Sequence, residues 1–174
     1  MSRGLFVVLA GLGFLASALP TSAEEIYCTI TARSGTLKES NASTEIPVLY
    51  LTEEVSIPYD ASSGLASGKL TNEPLKIVKE LDAVSPQLFL AAVTNELLPA
   101  VQCNFYRRSQ TGQLQGYFRI TLTNATIVDY KDAGDGVNGD ASGDERERIS
   151  FTYQRIQLED LSSSTTATDD WNVE

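Results

Sequence analysis

The sequence predicts a mainly β protein: a closed or nearly closed β-barrel of six or more strands with one short α-helix. Three observations predict it. Most apolar segments alternate with polar residues at a period of two, as strands with one buried face do. Within residues 24–174, helical spacing with suitable end residues occurs only near 85–95. Closure of the sheet removes the exposed edges that a mostly β chain must otherwise protect.

The strand before the predicted helix is the clearest example of this alternation. Leu75, Ile77 and, less regularly, Leu81 are its apolar positions, with Lys76 and Lys79 among the polar positions between them. The pattern predicts a strand with its apolar face on the core and its charges facing outward.

The predicted helix has recognisable ends. Ser85 is a suitable N-cap, and Pro86 suits the first helical position. Asn95 can adopt the left-handed conformation that follows many helices, and Pro99 prevents continuation. A single capped helix among strands predicts a plug or cap on the barrel.

Further strands are expected elsewhere in the chain. They cover 25–31, 45–58 with a kink near 52–54, 100–107, 114–130 and 148–158. A long loop of small residues, 59–68, separates two of them. Such a loop is either mobile or covered by a partner.

The chain divides into three parts. Residues 1–23 read as a signal peptide, with Arg3 before an apolar run over 5–19 and a small residue, Ala23, at the cleavage position. A short membrane anchor is the alternative, but the run is below the ~20 residues that span a bilayer. Residues 24–160 form the barrel domain, and 161–174 form a Ser/Thr-rich flexible tail. After cleavage no membrane association is expected.

Composition excludes several functions. The 174 residues include 13 Lys and Arg against 23 Asp and Glu, a net charge of −10 that disfavours nucleic acid and anionic lipid. The chain contains no histidine, which excludes Ser-His-Asp and Cys-His catalysis and histidine-ligated zinc. We expect no enzyme activity and no cofactor.

The two cysteines, Cys28 and Cys103, are a candidate disulfide. Each lies on the apolar face of a predicted strand, so both can point into one core. An exported chain with an even number of cysteines favours a bridge. The alternative is a pair of small buried thiols that never meet.

The glycine-rich loop 129–147 has the oxygen donors of a calcium site, but we predict no metal here. Its spacing fits neither an EF-hand nor a glycine-aspartate repeat, so a solvated loop is the simpler interpretation. The candidate donors are Asp132, Asp135, Asn138, Asp140 and Asp144.

Other charged or modifiable residues have equally plain interpretations. Lys79, Glu80 and Asp82 could form an acid-base group, but a strand end facing water or a neighbouring subunit is simpler. Four arginines could bind an anion or pair with the abundant acids, and two asparagines match the glycosylation pattern. These residues are Arg107, Arg108, Arg146, Arg148, Asn41 and Asn124.

Several segments, in order, resemble the Hcp family, the tube-forming proteins of the bacterial type VI secretion system. They are residues 46–70, 73–101, 117–128 and 147–159, followed by 166–171, TATDDW. The most specific motif is Lys79-Glu80-Leu81-Asp82 followed by Ser85-Pro86.

The resemblance implies a β-barrel that assembles as homo-hexameric rings, which stack into a tube able to carry or deliver effectors. Its implied partners are other copies, effector proteins, and spike or sheath components. The extended loop would contact adjacent subunits and rings, and Trp171 either anchors on a neighbour or packs on its own barrel. The subunit-interface candidates are Val55, Ile57, Tyr59, Leu65, Lys76, Lys79, Glu80 and Trp171.

The chain differs from the family pattern in two ways. Asn72 and Glu73 stand where a histidine usually precedes the strand. Family members also lack a signal peptide, because their subunits assemble in the cytoplasm and leave through the secretion machine. The alternative function is therefore an exported, periplasmic or secreted barrel that acts as a binding module outside the tube.

Overall fold

The computed structural model describes residues 24–109, 111–133 and 145–171. The described residues form twelve strands and one helix, α1, at Ser85–Val93. None of their helices is long and apolar enough to cross a membrane, and the predicted signal peptide lies outside them. The strands are β1 (Glu25–Ala32), β2 (Gly35–Thr36), β3 (Ile46–Val48), β4 (Tyr50–Thr52), β5 (Val55–Ser56), β6 (Thr71–Asn72), β7 (Leu75–Glu80), β8 (Leu98–Arg108), β9 (Leu114–Ala133), β10 (Arg146–Thr152), β11 (Arg155–Asp160) and β12 (Thr165–Asp170).

The strands wrap into a nearly closed barrel, which confirms the predicted fold class. Hydrogen-bonded neighbours follow the order β2-β1-β8-β9-β10-β7-β4. Strand β3 also pairs with β1, and Leu49 alone separates β3 from β4. The segment 46–52 therefore connects the two sides of the barrel, with β3 on β1 and β4 on β7.

Strand β9 changes partner along its length. Residues 118–123 pair with β11, whereas 126–133 pair with β10. Between them Asn124 has a backbone φ of +52°, a left-handed conformation that asparagine tolerates. Its side-chain amide donates to Oε1 of Gln154 at 2.7 Å, in the break between β10 and β11. The sequence predicts one strand over 148–158, and the one-residue shift of its apolar pattern coincides with this break.

The hydrophobic core fills the barrel interior and extends under the helix. Inward-facing residues recur at every second position of β1, as the period-two pattern predicts. The helix adds Leu88 and Ala91, and it packs against β9. The buried residues of this core are Cys28, Ile30, Ala32, Leu37, Ile46, Val48, Leu75, Ile77, Val84, Leu88, Ala91, Leu98, Val101, Cys103, Ile120, Leu122, Ala125, Ile127, Ile149, Phe151, Tyr153 and Ile156.

The helix ends differ in part from the prediction. Ser85 is not the N-cap: Val84 occupies that position without a side-chain cap, and the Ser85 hydroxyl bonds elsewhere. Pro86 does lie in the first turn, and Asn95 follows the helix with a φ of +50°. Pro99 lies within β8, so the helix ends at Val93 before proline can act.

The flexible tail predicted over 161–174 is wrong for most of its length. Strand β12 pairs with β11 along six residues, from Arg155 opposite Asp170 to Asp160 opposite Thr165. A tight turn joins them, in which Oδ1 of Asp160 accepts the backbone N–H of Ser162 at 2.7 Å and of Ser163 at 3.0 Å. Nearly all of β12 is exposed, so the sequence carries no apolar alternation that would reveal a strand.

Candidate functional site

The most specific sequence motif forms a buried polar cluster inside the barrel. Lys79 of β7 and Glu147 of β10 are opposite each other in the sheet, and neither side chain is exposed. The ammonium Nζ of Lys79 lies 2.8 Å from Oε1 of Glu147 and 2.6 Å from Oδ2 of Asp82. It also donates to the backbone carbonyl of Glu80 at 2.6 Å. Three oxygen partners therefore compensate the buried positive charge, as a buried ammonium requires.

Two hydroxyls complete the hydrogen bonding of Glu147. The Ser85 hydroxyl donates to Oε1 at 2.8 Å, and the Tyr130 hydroxyl donates to Oε2. Burial and the Glu147 carboxylate both raise the pKa of Tyr130 well above its usual range, so this phenol remains a donor. Ser85 also accepts the backbone N–H of Asp82 at 2.9 Å.

This arrangement corrects the sequence interpretation of Lys79. We expected an outward-facing charge and a subunit-interface candidate, but the side chain is fully buried within its own subunit. The acid-base interpretation is not supported either, because the charges satisfy one another and Ser85 is buried. The missed signal was the strand period itself, since Lys79 is two residues from Ile77 and four from Leu75. Glu147 stands in the same relation to Ile149 and Phe151.

A groove of about 520 Å³ lies beside this cluster. It is acidic because Glu39, Glu45, Glu80 and Asp82 are among its lining residues. Burial, followed by a hydrogen bond with Asp82, raises the pKa of Glu39. Burial also acts to raise the pKa of Asp82, but hydrogen bonds from Lys79 and the Val84 N–H outweigh it and lower that pKa. Among the described residues no set of three or more His, Cys, Asp or Glu is arranged to hold a metal ion.

The predicted loop over 59–68 is part of an exposed hairpin, residues 54–71, which we call the arm. Strands β5 and β6 pair at its base, and Tyr59 bridges to Ala66 further out. At its tip Oδ1 of Asp60 accepts from the hydroxyl and N–H of Ser62 and the N–H of Ser63, which lowers the pKa of Asp60. The arm is thus ordered by its own hydrogen bonds.

The arm exposes large apolar side chains. Every residue from 54 to 71 is exposed, including Tyr59 at 71 % and Leu65 at 69 %. The other apolar arm residues larger than alanine are Val55, Ile57, Pro58 and Leu70. Four of the interface candidates, Val55, Ile57, Tyr59 and Leu65, therefore lie together on one projection. Contiguous exposed apolar surface of this kind is typical of protein interaction sites.

The other interface candidates lie apart from the arm tip. Lys76 is half-buried in β7, opposite Thr52 and Ser150, while Glu80 is exposed at the end of the same strand. Trp171 is exposed just beyond β12. A second apolar patch was not predicted as exposed: it lies on the outer face of α1, at Phe89, Leu90 and Val93.

The two cysteines meet across β1 and β8. Cys28 is directly opposite Cys103, both are buried, and their sulfur atoms are 1.96 Å apart. The bond encloses a sequence separation of 75 residues. It joins two neighbouring strands of the barrel that already share an antiparallel ladder.

The remaining charged candidates make local contacts. Arg108 pairs with Glu25 at 2.8 Å and Arg148 with Asp129 at 3.1 Å, while Arg107 lies over the ring of Tyr117. The side chain of Asn41 accepts the N–H of Ser43. Of the calcium candidates, Asp132 is exposed, and the four at 135, 138, 140 and 144 lie outside the described residues.

Comparison with known proteins identifies the family. The family model for the type VI secretion system effector, Hcp, matches residues 27–159. The Major exported protein of Pseudomonas aeruginosa strain PAO1 is 34 % identical over 129 residues, which cover 73 % of this chain and 75 % of the relative.

Solved structures share the fold. A crystal structure of an Hcp protein gives a TM-score of 0.74 at 22 % identity and covers 86 % of this chain and 98 % of its own. The secreted protein Hcp3 from Pseudomonas aeruginosa gives 0.70 at 26 % identity, covering 86 % and 99 %. With the nearly closed barrel, the helix α1 and the match over most of its length, this chain belongs to the Hcp family of the type VI secretion system.

Proposed function

We propose that the protein is a structural subunit of a type VI secretion tube. It assembles as homo-hexameric rings that stack and carry or deliver effector proteins, in contact with spike and sheath components, and it acts without enzyme activity or cofactor. Family membership supports this proposal at the level of the secretion system. The arm supports it at the level of assembly.

The exposed arm is the observation that carries the proposal. An isolated subunit leaves Tyr59 and Leu65 in water, and hydrogen bonds within the arm form its hairpin. Covering apolar surface contributes about 25 cal/mol per Å². A neighbouring copy that covers the arm would gain this energy.

Glu80, Lys76 and Trp171 are proposed as secondary contacts at the interface. Single exposed ion pairs contribute only about 0–1 kcal/mol, so they would set orientation more than affinity. Lys79 has no such role, because it is buried within its own subunit.

The experiment compares the oligomeric state of the purified full-length protein with two variants. Tyr59→Ser/Leu65→Ser removes apolar side chains from the arm, and Val128→Ser removes one exposed on β9. Native mass spectrometry should show a hexamer for wild type and Val128→Ser, and a monomer for the arm variant. Circular dichroism should show that the arm variant keeps the β-rich fold. A wild-type monomer at high concentration would contradict ring assembly.

A second function, an exported binding module of the same fold outside the tube, is favoured by the paired cysteines and the predicted signal peptide. Intact-mass measurement of cell fractions separates the two functions. Periplasmic protein lacking residues 1–23 and the two thiol hydrogens would support the module. An uncleaved cytoplasmic pool that forms rings would contradict the binding-module function.

A further inference from the structure

A cavity of about 260 Å³ opens beside the end of the polypeptide. The base of the arm and the start of β7 form one wall, the end of β10 forms a second, and the residue after β12 forms the third. Its lining residues are Asn72, Glu73, Pro74, Thr152, Tyr153 and Trp171. The buried Lys79–Glu147 cluster is not part of it.

The hydroxyl of Tyr153 is the unusual group in this cavity. The side chain is only 8 % exposed, and its oxygen has no hydrogen-bond partner within the described part of the chain. A buried polar group left unpaired costs on the order of 1–3 kcal/mol, so such groups in folded proteins normally have a partner. Tyr153 is one of the residues that line the cavity, so a ligand that enters beside its side chain can supply the missing partner to this buried hydroxyl.

The surroundings of this hydroxyl are negatively charged. Burial, then the carboxylates of Glu53 and Asp169, raise the pKa of Tyr153 to about 12. Glu73 adds another carboxylate to the wall. The amide of Asn72 donates to Oδ2 of Asp169 at 2.7 Å, which holds that carboxylate in place. A cation that donates hydrogen bonds complements this site better than an anion or a neutral acceptor.

The other walls suit the apolar stem and the charge of a basic side chain. Pro74 and the rings of Tyr153 and Trp171 line the same cavity. Aromatic faces attract ammonium and guanidinium groups, and the methylene stem of lysine or arginine packs on apolar surface. We propose that this cavity binds a lysine or arginine side chain presented by a partner protein.

Trp171 is the single tryptophan of the chain, so its fluorescence reports on this cavity. The experiment titrates the full-length protein with N-acetyl-arginine amide and N-acetyl-lysine amide, using N-acetyl-norleucine amide as the uncharged match. We expect a saturable change in Trp171 emission for the two cations, with a Kd on the order of 1–10 mM, and at least about fivefold weaker binding of norleucine.

Variants assign the binding to the named groups. Tyr153→Phe and Glu73→Gln should each weaken binding by about fivefold or more, whereas Glu54→Gln, an exposed carboxylate outside the lining, should not change it. Tyr153→Phe should also retain or raise the melting temperature, because the hydroxyl it removes is unpaired. If that variant does not fold, Glu73→Gln carries the test.

Three outcomes would overturn the inference. Equal binding of norleucine and lysine amides would indicate an apolar ligand, and the absence of any saturable signal would indicate no site. A change of Trp171 emission with protein concentration, without any added amide, that Tyr153→Phe and Glu73→Gln both abolish would identify a second copy as the occupant. Because Trp171 is also a proposed subunit contact, the titration is repeated on the Tyr59→Ser/Leu65→Ser variant, in which ring assembly is expected to be lost, so that amide binding is measured apart from assembly.

Discussion

The ammonium group of Lys79 lies 2.8 Å from the carboxylate of Glu147, and both side chains are completely buried in the barrel wall. Through Ser85 and Asp82 the same pair reaches the first turn of the helix. Two of the sequence segments that carry the family resemblance, 73–101 and 147–159, thus meet in one cluster. Its role follows from this position: it fixes the helix onto strands β7 and β10.

Breaking this pair should be strongly destabilising. We expect Lys79→Met to cost about 3–5 kcal/mol in the free energy of unfolding, because it leaves the buried Glu147 carboxylate without its cation. Glu147→Met should cost less, because Asp82 still pairs with the Lys79 ammonium at 2.6 Å. The double variant should cost clearly less than the sum. Urea denaturation measures all three. Arg108→Met, which removes the exposed partner of Glu25, is the control and should cost at most about 1 kcal/mol.

Single variants that lose less than about 1 kcal/mol would show that water or a shifted side chain replaces the missing partner. Such a result would contradict the structural role of the cluster.

Much of the fold could be predicted because half-buried strands have a visible sequence period. Ile30 and Cys103 lie on the inward faces that the alternation indicates, and the helix occupies its expected place before Asn95. The same period-two rule, applied to charged as well as apolar residues, places Lys79 on the inward face of β7. A charge is assigned to the surface by default because its burial is costly, and only the distant Glu147 makes that burial possible.

Other features have no signature in local sequence. Strand β12 is exposed on nearly all residues, and its existence depends on pairing with β11. The arm looks like a loop of small residues because its hairpin is held by polar turn contacts instead of a core. The cavity beside Trp171 combines residues from three distant segments.

Stability should depend on the ionisation of Glu39. Its pKa is raised in the folded state, so its ionisation near neutral pH disfavours the fold, and this cost disappears as pH falls through the folded pKa. We expect Glu39→Gln to raise the melting temperature at pH 7 and to lose this advantage near pH 4. Asp82 has a lowered pKa, so its contribution is present above its unfolded pKa and is lost as pH falls through the folded one.

Thermal melts of wild type and Glu39→Gln at intervals from pH 3 to 7 measure the difference. Glu54→Gln, on the exposed arm, is the matched loss of one carboxylate. An equal gain for both variants at pH 7 would mean that net charge, and not the environment of Glu39, is responsible.

In the turn between β11 and β12, replacing Ser164 with glycine should stabilise the protein. Asp60 and Asp160 start equivalent turns, with matching bonds to the serines two and three positions later. The next residue is left-handed in both: Gly64 at a φ of +71° and Ser164 at +56°. We expect Ser164→Gly to stabilise by about 0.5–1 kcal/mol in urea denaturation, because it removes the steric cost of a side chain there.

Ser163→Gly, at the neighbouring position, is the control, and we expect it to destabilise the protein. Ser163 does not have a positive φ, and its hydroxyl donates to Thr165 at 2.9 Å, so glycine adds unfolded entropy and removes a bond. Equal effects of the two substitutions would show that the left-handed conformation of Ser164 carries no strain.

The Cys28–Cys103 bond should make the stability of the barrel sensitive to reducing agent. Its sequence separation of 75 residues corresponds to a chain-entropy contribution of about 4.5 kcal/mol. We expect dithiothreitol to lower the urea midpoint of the wild type and to leave Cys28→Ala/Cys103→Ala unchanged. The double variant should resemble the reduced wild type, apart from the small loss of two buried sulfur atoms. The mass of the wild type could instead show two free thiols both with and without reductant, and its urea midpoint could stay unchanged. That result would mean that the cysteines serve only as buried apolar groups.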